Sequence, residues 1–250
     1  MNTVKINKGN VLMIAHRGVS GLEPENSIPA FIAAGNRSYF GVETDVHATA
    51  DGKFVVIHDS QTARVAGDDI NIEQSSYRLV REIRLQNLGK LQKDAGITAD
   101  DVSYRPDLII PSLEEYITIC KKYDKKCVLE LKGAFAPEMI AKMVEEIRGL
   151  DYLDGVIFIS FNFDNMVCLR NMLPNQEMEL LISRYDSEVL GWLNQYNWDI
   201  DIRYSAITKE AVDEIHANGH KINCWTVDEK EFAEKLVEWG VDYITSNILE

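Results

Sequence analysis

The segment Gly41-Val42-Glu43-Thr44-Asp45-Val46 places two carboxylates two positions apart inside an apolar run. Side chains on a β-strand alternate faces, so Glu43 and Asp45 point one way, and Val42, Thr44 and Val46 the other. The flanking valines argue for a central strand. A central strand has no packing reason to carry acids, because burying unpaired carboxylates costs several kcal/mol. The same spacing recurs in Cys127-Val128-Leu129-Glu130-Leu131-Lys132, where Glu130 and Lys132 share a face. The first apolar run, Val11–Ala15, leads into His16-Arg17-Gly18, and the run from Phe54 ends in His58-Asp59. Chemistry thus gathers at the ends of short apolar segments.

Outward from these segments the chain alternates in type. Candidate strands are Val11–Ala15, Gly41–Val46, Phe54–His58, Cys127–Leu131, Val156–Ser160, Met178–Ile182, Ile200–Tyr204, Lys221–Trp225 and Tyr243–Thr245. Helical patterns lie between most of them. Ser27–Ser38 has apolar residues at Ile28, Phe31, Ile32 and Ala34. Ser112–Tyr123 opens with a capping box, Ser112 and Glu115. Pro137–Leu150 starts on a proline suited to a first helical turn. Lys209–Asn218 and Lys230–Trp239 end at Gly219 and Gly240. Repeated strand–helix units in 250 residues point to an α/β fold of the TIM-type (β/α)8 barrel class. A doubly wound open sheet is the alternative, but no GxGxxG follows the first strand. Nine candidate strands are one too many for a simple barrel, and Ile200–Tyr204 has the weakest pattern. Residues 60–107 fit the alternation poorly and read as an excursion over one end of the barrel. Within them, Tyr77–Tyr104 reads as a helix followed by irregular chain. No linker or repeat divides the chain, so residues 1–250 form a single catalytic domain in this reading.

Composition narrows the partners. The chain has 26 basic and 40 acidic side chains, a net charge of −14, with 46% hydrophobic residues. These are globular values. The acidic balance disfavours nucleic acid and anionic membrane as partners. No apolar stretch approaches the ~20 residues of a membrane span, and the N-terminal apolar run is too short for a signal-peptide core. Cys120, Cys127, Cys168 and Cys224 form no CxxC pair and read as buried free thiols in a reducing compartment. A soluble cytoplasmic protein is the expectation; the oligomeric state is not legible.

In a parallel barrel the C-terminal strand ends form one rim. His16, His58, Glu43, Asp45, Glu130, Arg17 and Lys132 would then meet at one mouth. Three converging carboxylates cannot all stay ionised without a counter-charge. One divalent cation supplies it, and all-oxygen ligation suits Mg2+ or Ca2+ rather than zinc. Arg17 and Lys132 suit a phosphoryl group. Two imidazoles can move protons near neutral pH. Together these groups meet the needs of phosphodiester cleavage.

At this point the chain resembles the glycerophosphodiester phosphodiesterase family. The matching strings are Ala15-His16-Arg17-Gly18, Pro24-Glu25-Asn26-Ser27, Val42-Glu43-Thr44-Asp45-Val46, Asp51-Gly52 and Val56-Ile57-His58-Asp59. They continue as Ile110-Pro111-Ser112-Leu113-Glu114-Glu115, Leu129-Glu130-Leu131-Lys132, Ser160-Phe161, Cys224-Trp225-Thr226-Val227 and Gly240-Val241-Asp242-Tyr243-Ile244-Thr245. They stand in family order over nearly the whole chain. The resemblance implies a TIM-type barrel hydrolysing a small-molecule glycerophosphodiester to glycerol 3-phosphate and an alcohol. It implies that His16 and His58 are the acid/base pair and that Glu43, Asp45 and Glu130 bind the metal. Arg17 and Lys132 look like phosphate-binding positions, Asn26 like a positioning residue and Trp225 like a wall of the glycerol pocket. Family members often continue the last strand with Thr-Asp and a proline, where this chain reads Thr245-Ser246-Asn247. The match is thin from Ser60 to Asp107, so no leaving-group preference carries over.

Two expectations follow. The link His47–Lys53, with the turn pair Asp51-Gly52, reads by itself as a β-hairpin. A hairpin is expected to carry His58 away from Glu43, so the family reading demands that the link run back extended and the next strand lie parallel. With that parallel strand, His58 belongs in one pocket with Glu43. The expected chemistry is attack on phosphorus by a neighbouring glycerol hydroxyl through a cyclic phosphate, with direct attack by water as the competing version. The alternative activity is a related phospholipase-type phosphodiesterase acting on lysophospholipid, sphingolipid or phosphoinositide. A non-catalytic barrel is disfavoured by the complete set of histidines and acids. An amidohydrolase-like metal barrel is disfavoured because no His-x-His follows the first strand.

Overall fold

A computed structural model describes residues 2–86, Gly96 and residues 105–250. Its strands are β1 (Leu12–Ala15), β2 (Gly41–Ala48), β3 (Phe54–Val56), β4 (Lys126–Leu131), β5 (Val156–Ser160), β6 (Met178–Ile182), β7 (Asp199–Arg203), β8 (Ile222–Trp225) and β9 (Tyr243–Ser246). All except β3 pair in parallel, in the ring order β1-β2-β4-β5-β6-β7-β8-β9. The ring closes where β9 pairs with β1, from Leu12 opposite Tyr243 to Ala15 opposite Ser246. This is a closed (β/α)8 barrel of the TIM type. The departure at Ser246-Asn247 therefore does not open the end of the barrel.

The helices are α1 (Ile28–Gly35), α2 (Tyr77–Glu82), α3 (Leu113–Lys122), α4 (Pro137–Gly149), α5 (Phe163–Met172), α6 (Ser187–Tyr196), α7 (Lys209–Ala217) and α8 (Lys230–Trp239). Local sequence sets their ends. Ser27 caps α1 by accepting from the Ala30 amide, and the Ser112–Glu115 capping box opens α3. Gly240 ends α8 at φ +86, where a side chain would strain the backbone. The strands bury apolar side chains on both faces, with acids such as Glu43, Asp45 and Glu130 interrupting the pattern. Met13, Ala15, Val42, Leu129, Phe158 and Ile200 pack outward with Phe31, Tyr116, Ile140 and Leu169 of the helices. Ile14, Val128, Ile157, Ile159, Leu181 and Tyr243 form a second cluster. Each large side chain buried this way contributes about 1.5–3 kcal/mol.

Two readings from sequence are corrected. The surplus strand is β3, whereas Ile200–Tyr204 marks a true barrel strand, β7. The expectation of a parallel strand after His47–Lys53 is overturned: β3 is antiparallel to β2, with Val46 opposite Val56 and Ala48 opposite Phe54. The physical reason lies in where the hairpin begins. Asp45 is already at the C-terminal rim, and β2 continues past it to Ala48 before turning. The returning chain therefore descends to the rim rather than to the far end. The Ile57 amide donates to the Asp45 carbonyl at 2.9 Å, so His58 arrives beside the acids.

The excursion at 60–107 is borne out over its described part. Val55, Ile57, Val65, Ala66, Ile72, Val80, Leu108 and Ile110 form a small core of their own. The segment Tyr77–Tyr104 begins with α2 as expected, and most of its irregular remainder lies outside the described residues.

Candidate active site

β1 delivers His16 and then turns sharply. Arg17 (φ +53) and Gly18 (φ +76) are left-handed. A Cβ at Gly18 would lie 2.7 Å from the Ala30 backbone, so only glycine fits against α1. The turn aims the Arg17 amide at Glu43, which accepts it through Oε2 at 2.8 Å. β2 supplies Glu43 and Asp45, and β4 supplies Glu130 directly opposite Asp45 in register.

One carboxylate oxygen from each of Glu43, Asp45 and Glu130 lies within 4.8 Å of the others, and all three residues are buried. Burial and the Asp45 charge push Glu43 well above the ordinary carboxylate range and Glu130 up to about 8. Burial acts on Asp45 too, but Arg17, the His58 ring and Lys132 outweigh it and hold that carboxyl below its usual value. Lys132 Nζ lies 2.9 Å from Glu130 and 3.5 Å from Asp45, and Arg17 Nε lies 3.4 Å from Asp45. Asn26, itself left-handed and buried, donates from Nδ2 to Asp45 Oδ2 at 2.8 Å and accepts from the Thr44 hydroxyl at 2.6 Å. Asp45 Oδ1 is buried without a hydrogen-bond partner. A hard, all-oxygen donor set with an open lone pair fits Mg2+ or Ca2+.

Each histidine is fixed through Nδ1. His16 Nδ1 faces Asn247 Oδ1 at 2.8 Å, and Asn247 is fixed in turn, its Nδ2 donating to Asp228 Oδ2 at 2.6 Å. An oxygen acceptor places the imidazole proton on Nδ1 and leaves the Nε2 lone pair free, 3.9 Å from Glu43. Burial, then Arg17, takes His16 down to about 4. His58 Nδ1 faces Asp59 Oδ1 at 2.6 Å. Burial lowers His58 as well, with Asp45 and Asp59 acting against it.

Around this centre is a chain of ion pairs that sequence reasoning did not assign. Glu25 accepts from Arg17 at 2.9 Å and from both terminal nitrogens of Arg64 at 2.8 Å, while Arg64 Nε donates to Asp59 at 2.5 Å. Burial notwithstanding, the Arg64 hydrogen bonds and the Arg17 charge bring Glu25 down to about 2. His47, two positions after Asp45 on β2, turns Nε2 to the His58 carbonyl at 3.2 Å. Glu25 and Asp59 stood inside the recognised strings; Arg64 carried no local signal.

His16, Arg17, Glu43, His58, Glu130, Lys132 and Trp225 line one cavity at the rim. Phe161, half exposed, meets Trp225 edge-on at 5.6 Å across the same mouth. A larger cavity of about 680 Å3 opens among Phe40, Lys126, Arg148 and Tyr152 at the other end of the barrel. It holds neither the histidines nor the acidic cluster, so chemistry and not volume selects the rim.

The chain and its fold have counterparts among known proteins. The glycerophosphoryl diester phosphodiesterase family matches residues 16–249. A glycerophosphodiester phosphodiesterase of Caldanaerobacter subterraneus subsp. tengcongensis is 31% identical over 241 residues, covering 94% of this chain and 93% of the relative. An Oleispira antarctica phosphodiesterase, solved with the product sn-glycerol-3-phosphate, superposes with a TM-score of 0.83 at 25% identity, over 98% of this chain and 96% of that one. A glycerophosphodiester phosphodiesterase of Parabacteroides distasonis gives a TM-score of 0.75 at 26% identity, over 95% and 93% of the two chains.

Proposed function

The chain belongs to the glycerophosphoryl diester phosphodiesterase family, and we propose that it hydrolyses glycerophosphodiesters to glycerol 3-phosphate and an alcohol by paired histidine catalysis beside one divalent cation. The observation that carries this reading is the meeting of His16, His58, Glu43 and Glu130 in one cavity. Glu43, Asp45 and Glu130 would hold Mg2+ or Ca2+, which when bound offsets carboxylate repulsion and stabilises negative charge at phosphorus. Arg17 and Lys132 take the phosphoryl oxygens, Asn26 fixes Asp45, and Trp225 walls the glycerol side. The whole chain, residues 1–250, acts as one catalytic domain. Among the described residues no helix is long and apolar enough to cross a membrane. The free thiols Cys120, Cys127, Cys168 and Cys224 support a reducing, cytoplasmic setting.

His16, neutral with its Nε2 lone pair free, accepts the proton of the glycerol hydroxyl next to the phosphoryl group. That oxygen bonds to phosphorus as the bond to the departing alcohol breaks. His58, whose protonated form Asp59 stabilises, gives its proton to the leaving oxygen. Water then opens the cyclic phosphate with the roles of the two histidines reversed. A diester without the vicinal hydroxyl reacts far more slowly by this route; equal rates would assign the attack to water instead.

The test is glycerol 3-phosphate release from a panel of glycerophosphodiesters, with chelator and metal add-back. Release that stops with chelator and returns with Mg2+ or Ca2+ is expected. Inertness of the metal-loaded protein toward every diester, or preference for micellar lysolipid over glycerophosphocholine, would overturn the reading.

A further inference from the structure

One buried acid at the rim has no place in the mechanism above. Asp201 lies on β7, and β7 stands directly across the ring from β2. It is 2% exposed, yet it lines the same cavity as His16, Glu43 and Glu130. Its Oδ1 has no hydrogen-bond partner. The polar neighbours that could have served it are committed elsewhere. Asn223 donates its amide to Glu179 at 2.9 Å and accepts from the Thr245 hydroxyl at 3.0 Å. The nearby lining is apolar, with Ile159, Leu181 and Phe161. A buried polar group without a partner is costly, and such groups are few in native proteins. An unpartnered carboxyl on a cavity wall therefore marks a position completed by a ligand.

The chemistry of that ligand follows by elimination. The cation is excluded, because the oxygens within mutual reach belong to Glu43, Asp45 and Glu130, without Asp201. A phosphoryl oxygen belongs with the cations Arg17 and Lys132, which sit on the far side, at β1 and β4. A hydroxyl is suited to Asp201 in either protonation state: the carboxylate accepts from it, and the acid can also donate to it. The Trp225 indole lines the same cavity and is fixed to this strand by donating from Nε1 to the Asp201 backbone carbonyl at 3.2 Å. We propose that Asp201 is a specificity residue that hydrogen-bonds a hydroxyl of the substrate's glycerol moiety, across the cavity from the cations that take the phosphoryl group. This rests on the function proposed above and assigns it a residue on a strand that carries no other part of the site.

The test is calorimetric binding of sn-glycerol 3-phosphate and of methyl phosphate, which has no hydroxyl to recognise, to the metal-loaded protein. The wild-type protein is expected to prefer glycerol 3-phosphate. Asp201→Ala should weaken glycerol 3-phosphate about ten- to a hundred-fold more than methyl phosphate, the range of one buried hydrogen bond to a charged group. Asp201→Asn, isosteric and still able to hydrogen-bond, should keep most of the preference, and it carries the test if the alanine variant does not fold. Equal weakening of both ligands in Asp201→Ala, or an unchanged preference, would overturn the assignment. So would complete loss of the preference in a folded Asp201→Asn. The two proposals fail separately. Wild-type protein that cleaves no diester removes the function, whereas a cleaving enzyme whose alanine variant keeps the ligand preference removes only the role of Asp201.

Discussion

His16 and His58 sit in the same cavity but answer to different partners. Burial and the Arg17 charge outweigh the Asn247 hydrogen bond and hold His16 at about 4, whereas Asp45 and the Asp59 carboxylate favour the charged form of the less buried His58. That asymmetry is the basis for assigning one as base and the other as acid. Replacing His16 by Ala should lower kcat by about 10²–10⁴, the usual worth of a positioned proton carrier, while the thermal melt stays near wild type. Asp59→Asn removes a charge that raises the His58 pKa. A general acid must be protonated, so its activity is lost as pH rises through its pKa. The alkaline limb of the kcat profile should therefore move to lower pH in Asp59→Asn; a limb that stays in place would remove His58 from the acid role. Much of this layer was legible in the sequence. Glu43, Asp45, Glu130 and both histidines break apolar strand patterns, and packing alone does not explain such breaks. Arg64 and Asn247 were not legible as partners, because an ion pair or a hydrogen bond across the fold leaves no periodic trace in the chain.

At the scale of elements, what could be read follows from local physics. The Ser112–Glu115 box was visible as a pattern and is present as a pair of reciprocal bonds, Ser112 N to Glu115 at 2.8 Å and Glu115 N to Ser112 at 3.1 Å. Ser112→Ala should cost about 1 kcal/mol in denaturant unfolding. Glu115→Ala should cost more, because Glu115 also accepts from two nitrogens of Arg81, at 2.6 and 2.8 Å, and so ties α2 of the excursion to α3. Equal losses would mean that this clamp is inert. The hairpin shows the limit of local reading. Its turn, with Gly52 at φ +69, was recognisable, but its consequence depended on how far β2 runs past the rim. β7 was underrated for a related reason. Asp199 and Asp201 interrupt its apolar run, and the second of these acids faces the cavity rather than solvent.

Across the whole molecule, the acids inside the barrel make stability depend on both pH and metal. Glu130 and Glu179 are each raised to about 8, and Glu43 and Asp201 lie well above their ordinary values, in every case first through burial. A carboxyl with a raised folded-state pKa binds its proton more tightly in the folded chain. Its stabilisation is therefore complete below the unfolded value and is lost as pH rises through the folded one. The metal-free protein should thus lose stability steadily between about pH 5 and pH 8. A divalent cation at Glu43, Asp45 and Glu130 replaces those protons, so its stabilisation should grow over the same interval, while the contributions of Glu179 and Asp201 persist in both forms. At a hundred-fold excess over Kd, binding is worth about 2.7 kcal/mol, which corresponds to a rise in Tm of about 5–10 °C for a chain of this size. Melts with chelator and with Mg2+ or Ca2+ at pH 5, 6.5 and 8 should show the gap widening with pH, and Glu43→Gln should shrink it. A gap that is constant with pH, or one that survives intact in Glu43→Gln, would mean that the ion binds elsewhere and that Arg17 and Lys132 alone offset the charge of the cluster.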